Sequence, residues 1–200
     1  MRLSVGAFIQ CVGMFGFGLL VLVAYVGFSD TASRPQNIGV GGPFRMIDQN
    51  GRVVTDRDFL GRWQLIYFGY THCPAACPTA LNTMAVALGE LKRGANDIVP
   101  IFITIDPDRD TPAVMKDYAA SFLPNFVGLS GSGSETAKVE REFQVTALRH
   151  PTPDGGYDFD HSTGIFLLDP KGEFAGFFSG DTDPDAMAAR ISMIMARSAT

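Results

Sequence analysis

Apolar residues run almost unbroken from position 5 to 28, with Gln10 the one strongly polar interruption. After position 42 the pattern changes to short apolar runs punctuated by Gly, Pro, Asn and Asp. A helix needs about 20 apolar residues to cross a bilayer, and a cleavable signal peptide carries only about 7–15. Residues 1–28 are therefore expected to form an uncleaved transmembrane anchor. Arg2 precedes the run and Asp30 follows it, which predicts a cytoplasmic N-terminus with the rest of the chain exported. No Arg- and Ser-rich transit segment comes first, so a bacterial inner membrane, with the C-terminal domain in the periplasm, is the expected location. Residues 29–42, with Pro35 and three glycines, read as a tether. That leaves 43–200 as one domain.

Within that domain, residues 44–48 and 52–55 flank Gln49-Asn50-Gly51, which predicts a β-hairpin because Asn and Gly tolerate positive φ. Residues 63–70 read as a buried strand. Residues 78–93 read as a helix with Pro78 in its first turn, an apolar stripe of Leu81, Met84, Ala85 and Leu88, and Gly94 as its terminator. Residues 98–105 form a second β-rich run, whose Pro100 places its start at a sheet edge or outside the sheet. A helix over 112–122 follows, entered through a capped turn at Asp110 or Thr111, then a strand over 126–129. A helix over 134–143 is expected to have Ser134 as its cap. A hairpin around Pro170-Lys171-Gly172 and a helix opening at Asp183-Pro184, striped with Met187, Ile191 and Ile194, close the chain. Alternating strands and helices ending in a hairpin and helix predict an α/β, thioredoxin-like fold with an added N-terminal β-hairpin, and a partly parallel sheet covered on both faces.

Charge narrows the function. All 21 acidic residues and all but one of the 16 basic ones follow the apolar segment, so the domain is net negative. No basic run is present, and no nucleic-acid partner is expected.

Cysteine usage narrows it further. Of three cysteines, Cys11 lies in the apolar segment, while Cys73 and Cys77 follow the predicted strand directly. A disulfide between them would close a loop of only three residues and constrain the unfolded chain little. Chemistry is the better account of the pair. Pro74 and Pro78 place Cys73 in a loop and Cys77 at the start of the next helix. Sulfurs at the positive end of a helix favour the thiolate, which is both the nucleophile of disulfide exchange and a soft metal ligand.

A mononuclear site needs a third ligand, and the chain has three histidines. His72 projects away from its neighbour Cys73 if the backbone there is extended. His150 sits in a loop-like Arg149-His150-Pro151 context. His161 precedes an apolar strand, and in a thioredoxin-like sheet that loop lies beside the Cys motif, so His161 is the candidate. Two thiolates and one imidazole suit copper, as Cu(I) or Cu(II); structural zinc sites usually close with four ligands. The carboxylates of residues 106–110 read as a helix start rather than a cation site, and Met187, Met193 and Met195 as helix packing.

These residues resemble the Sco/SenC family of copper-handling proteins. The resemblance is carried by 67–74 with Cys77-Pro78, by 104–112, by Gly128-Leu129-Ser130-Gly131, and by Asp160-His161-Ser162 before 165–169. It implies copper binding by Cys73, Cys77 and His161. It also implies copper delivery to the CuA site of cytochrome c oxidase subunit II, or reduction of that site's cysteines by a redox-active Cys73/Cys77 pair. The family commonly has an acidic residue after the first Cys-Pro, where this chain has Ala75. One fewer negative charge beside the sulfurs favours thiolate.

Overall fold

The computed structural model describes residues 39–198. The anchor expected over 1–28 and most of the 29–42 tether lie outside the described residues. Among the described residues, no helix is long and apolar enough to cross a membrane. The end of the predicted tether lies along the domain: Gly41 N–H donates to the Glu142 carbonyl at 2.8 Å.

Seven strands form one sheet. In chain order they are β1 (Arg45–Asp48), β2 (Val53–Thr55), β3 (Trp63–Gly69), β4 (Ile98–Thr104), β5 (Val127–Ser130), β8 (Gly164–Leu168) and β9 (Phe174–Ser179). Their order across the sheet is β2-β1-β5-β4-β3-β8-β9. The pairs β3/β4 and β4/β5 are parallel and the rest antiparallel. Every residue of β3, β4 and β8 is buried, as expected of central strands covered on both faces. The N-terminal hairpin is present and joined to this sheet through β1 and β5. Its turn is held by Asp48, whose carboxylate accepts from the Asn50 and Arg52 N–H groups, with Gly51 at φ 79°.

The helices are α1 (Ala76–Glu90), α2 (Pro112–Ala120), α3 (Gly133–Glu142) and α4 (Pro184–Ser198). The crossovers β3-α1-β4 and β4-α2-β5 step the same way across the sheet. With right-handed connections they share a face: Cys77 of α1 lies against Gly69, and Tyr118 of α2 lies 5.5 Å from Phe102. The other face sets Phe68 against Phe143, which ends α3, at 5.2 Å. In α4, Met187 and Ile191 are fully buried and Ile194 partly so, which is the predicted stripe.

The start of β4 lies open on one side, as Pro100 predicts: Ile98, Val99 and Pro100 pair with β3, and the β5 ladder begins only at Ile101, so the missing N–H is tolerated beside an unpaired stretch. Three expectations need correction. Helix α3 is capped by Ser132, not Ser134: Ser132 and Glu135 exchange side-chain and backbone hydrogen bonds in a capping box. Helix α1 ends at Glu90 and α2 at Ala120, short of Gly94 and of residue 122. The stretch around His150 is not a loop but strand β6 (Ala147–Pro151), paired antiparallel with β7 (Tyr157–His161) in a ribbon separate from the main sheet.

Candidate metal centre

Helix α1 begins without a side-chain cap. Its N-cap is Ala75, and no acidic residue stands in its first turn. The first N–H groups of a helix need acceptors from outside it, and here a sulfur provides one: the Cys77 N–H donates to Cys73 Sγ at 3.3 Å. Cys73 thus takes the place of a capping oxygen at the positive end of the helix. Cys77, the second residue of α1, is fully buried against β3. It fits there because position 69 is glycine, and it receives a long hydrogen bond from Tyr67 Oη at 3.8 Å.

Turn contacts fix the loop that carries Cys73. Asp110, itself fully buried, accepts from Thr71 N at 3.0 Å, Thr71 Oγ1 at 2.6 Å and Thr104 Oγ1 at 2.6 Å. Thr111, not Asp110, caps α2. The acidic turn is therefore more than a helix start. Its aspartate holds the segment two residues before the first cysteine.

His161 arrives from the end of β7. Its Nδ1 lies 2.8 Å from the Ser162 carbonyl oxygen, which can only accept. Nδ1 therefore carries the hydrogen, and Nε2 presents a lone pair. That Nε2 lies 3.5 Å from Cys77 Sγ. Tyr70 packs edge-on to the ring at 5.8 Å between centroids, and Tyr67 at 6.4 Å.

The two thiols divide their protons unequally. A hydrogen bond from the Cys77 thiol outweighs the cost of burial and lowers Cys73 to about 3. Cys77 moves the opposite way, because donating to Cys73 and being buried both favour its protonated form. The pair acts as a unit holding one proton, with the negative charge at Cys73. Burial and the neighbouring Cys77 raise Tyr67, which remains a phenol and a donor.

Among the described residues, Cys73, Cys77 and His161 form the one group of three whose ligand atoms converge, all lying within 4.8 Å of one another. Metal–nitrogen and metal–sulfur bonds of about 2.0–2.3 Å put donors around one ion about 3.5–4 Å apart. The three atoms therefore need move little to share an ion, and soft sulfur with imidazole is a donor set for copper. The other two histidines stay outside. His72 is exposed, with Nδ1 3.2 Å from Thr71 Oγ1, and His150 is exposed on β6 with Nδ1 3.8 Å from Asp160 Oδ2. An open groove passes Cys73 and His161, lined also by Tyr70, Pro74 and Phe159.

Residues 32–196 match the SCO1/SenC family model. The SCO2-like protein of Rickettsia felis is 41% identical over 150 residues, covering 74% of this chain and 73% of that one. The Arabidopsis thaliana protein "SCO1 homolog 1, mitochondrial" is 37% identical over 149 residues, again 74% of this chain but 45% of its own length. The solved structure of Bradyrhizobium japonicum ScoI with copper bound superposes with a TM-score of 0.72 at 44% identity, covering 78% of this chain and 99% of that one.

Proposed function

The chain belongs to the SCO1/SenC family, and on that premise we propose that it is a copper chaperone whose Cys73, Cys77 and His161 take up one copper ion as cargo. The observation that carries this reading is the His161 tautomer: with Nδ1–H donated to Ser162, the Nε2 lone pair faces the sulfurs. Cys73 supplies a thiolate at neutral pH. Cys77 gives up its proton as the ion binds, since metal ligands bind deprotonated. The client is the CuA domain of cytochrome c oxidase subunit II, or another copper-accepting dithiol. The apolar segment over 1–28 anchors the chain in a bacterial inner membrane, with the domain in the periplasm. The anchor raises the local concentration of the domain near a membrane-bound client.

The test is metal analysis with absorption and spin-resonance spectra on the reduced chain, wild type beside His161→Ala. One copper per chain is expected, with thiolate-to-copper absorption and nitrogen coupling. His161→Ala should abolish the nitrogen coupling and weaken binding by at least tenfold. Unchanged affinity in that variant would remove the three-ligand site.

The unequal pair supports a second reading, dithiol exchange. The Cys73 thiolate attacks a client disulfide to form a mixed disulfide. Cys77 loses its proton and displaces the client, which leaves with two reduced sulfurs while Cys73 and Cys77 become a disulfide. This needs both cysteines and not His161. Full reductase activity in His161→Ala, with copper retention lost, would identify it as a separate function of the same sulfurs.

A further inference from the structure

The three ligands come from two parts of the chain with no strand pairing between them. The cysteines follow β3 in the main sheet, whereas His161 ends β7 in the separate β6/β7 ribbon. An isolated two-stranded ribbon is marginal in water, so its position depends on side-chain ties to the domain. Tyr70 supplies one set, its hydroxyl donating to Asp158 Oδ1 and accepting from the Phe159 N–H, each at 3.5 Å, and the turn from Asp106 to Asp110 supplies the rest. Tyr157 Oη donates to Asp106 Oδ1 at 2.9 Å, and Arg109 Nη1 donates to the Tyr157 carbonyl at 3.0 Å. Arg109 is itself held by Asp106 through Nε. The guanidinium carbons of Arg109 and Arg149 lie 3.8 and 3.4 Å from the Tyr157 ring centroid. The far end of that same turn is Asp110, which holds Thr71 next to the Cys loop.

We propose that the turn from Asp106 to Asp110 is a bracket that sets how far His161 stands from the two sulfurs, with Arg109 and Tyr157 as positioning residues. Asp110 grips the cysteine side, and Asp106 with Arg109 grips the histidine side. Neither Arg109 nor Tyr157 touches the ligand atoms. They act by keeping the ribbon seated, so that the imidazole need not be ordered when copper binds. The ordering cost is met in the folded protein, which is how preorganisation raises affinity. A planar guanidinium suits this role because it can stack on a ring and donate at once, which Lys cannot. The inference rests on the copper reading of the site.

The test uses the full-length reduced chain, with Arg109→Leu, Arg109→Lys and Tyr157→Phe made alone and in the His161→Ala background. Two quantities are measured: Cu(I) affinity by competition with bicinchoninate, and amide hydrogen exchange of residues 157–161 without metal. Arg109→Leu should weaken copper binding about tenfold, the loss of one charge-assisted hydrogen bond. Tyr157→Phe, which keeps the ring and loses one hydroxyl, should cost less. Arg109→Lys should rescue only in part. Ribbon amides should exchange faster in Arg109→Leu before any metal is added. In the His161→Ala background the Arg109 and Tyr157 substitutions should cause no further loss. The bracket is overturned if ribbon exchange is unchanged, if wild-type affinity persists in Arg109→Leu, or if the same loss recurs without His161. If His161→Ala itself leaves affinity intact, the copper reading fails, while ribbon exchange still decides whether the turn holds the ribbon.

Discussion

Gly69 and Cys77 are in contact so close that a Cβ built on the glycine would stand 2.6 Å from the Cys77 sulfur. The same Cβ would lie 3.0 Å from Tyr67 Cε1 and 3.2 Å from Phe102 Cε2. Nothing around this point can yield easily, since Tyr67, Phe102 and Cys77 are all fully buried. Gly69→Ala should therefore destabilise the domain by about 1–3 kcal/mol, the usual cost of overpacking a core. It should also displace Cys77 and weaken copper binding with all three ligands present. Denaturant unfolding and a copper titration on the same sample check both; a variant with wild-type affinity would mean that the sulfur has room to retreat.

Cys73 is lowered to about 3 by the thiol of Cys77. An ordinary thiol, near 8.5, loses about tenfold in alkylation rate for each pH unit below that value. Cys73 should instead alkylate with iodoacetamide at a rate nearly constant from pH 5 to 8. Replacing Cys77 by Ser, a different donor at an altered distance, should shift the profile upward. A steep rise of the wild-type rate between pH 7 and 9 would show that Cys73 is a normal thiol.

Asp110 is a buried carboxylate serving three donors from Thr71 and Thr104. Asn at this position keeps one acceptor oxygen and turns an NH2 toward a former donor. Hydrogen bonds to charged groups are worth about 1.5–3 kcal/mol each, so Asp110→Asn should lower stability by about that amount. Thermal unfolding with and without copper measures it, and a larger loss of copper affinity than in a variant of an exposed aspartate such as Asp108 is expected.

Glu140 makes its own contribution to the pH dependence of stability in the acid-to-neutral range. Desolvation raises its carboxyl to about 7, against an opposing pull from Arg141. Below about pH 4.5 the side chain is protonated in both folded and unfolded chains and costs nothing. Between that value and 7 the folded form holds a proton that the unfolded form has lost. Stability therefore falls as pH rises through this window. Glu140→Gln should flatten that slope, as read from urea midpoints at pH 5, 6 and 7; an unchanged slope would assign it elsewhere.

The sheet and the cysteine pair were legible because burial writes a strong pattern. β3 and β4 are apolar runs with only Gln64 and the terminal Thr104 polar, and prolines at 74 and 78 around a Cys pair after a strand favour a loop and a helix start. The β6/β7 ribbon is not legible in the sequence, for the converse reason. Residues 147–151 are mostly exposed, so no alternation marks them as a strand, and their pairing partner is the equally unpatterned 157–161. Pro100 marks an open side correctly, because β4 has no β5 neighbour before Ile101. The Ser132 cap was readable, since Glu135 stands three residues on in the capping-box pattern. Topology points to His161 from the sequence, but its tautomer rests on the Ser162 carbonyl, which only the fold reveals. The 106–110 turn reads in sequence as a helix start because its contacts are to Thr71 and Tyr157, each more than 35 residues away.

Cys77 has no accessible surface, while Cys73 and His161 border the open groove. A visiting sulfur therefore meets the rim of the centre before its floor. On the proposed copper reading, a swap of partners would start at Cys73 or His161 and end at Cys77, so this doorway would have one threshold and the innermost sulfur would be the last to let go.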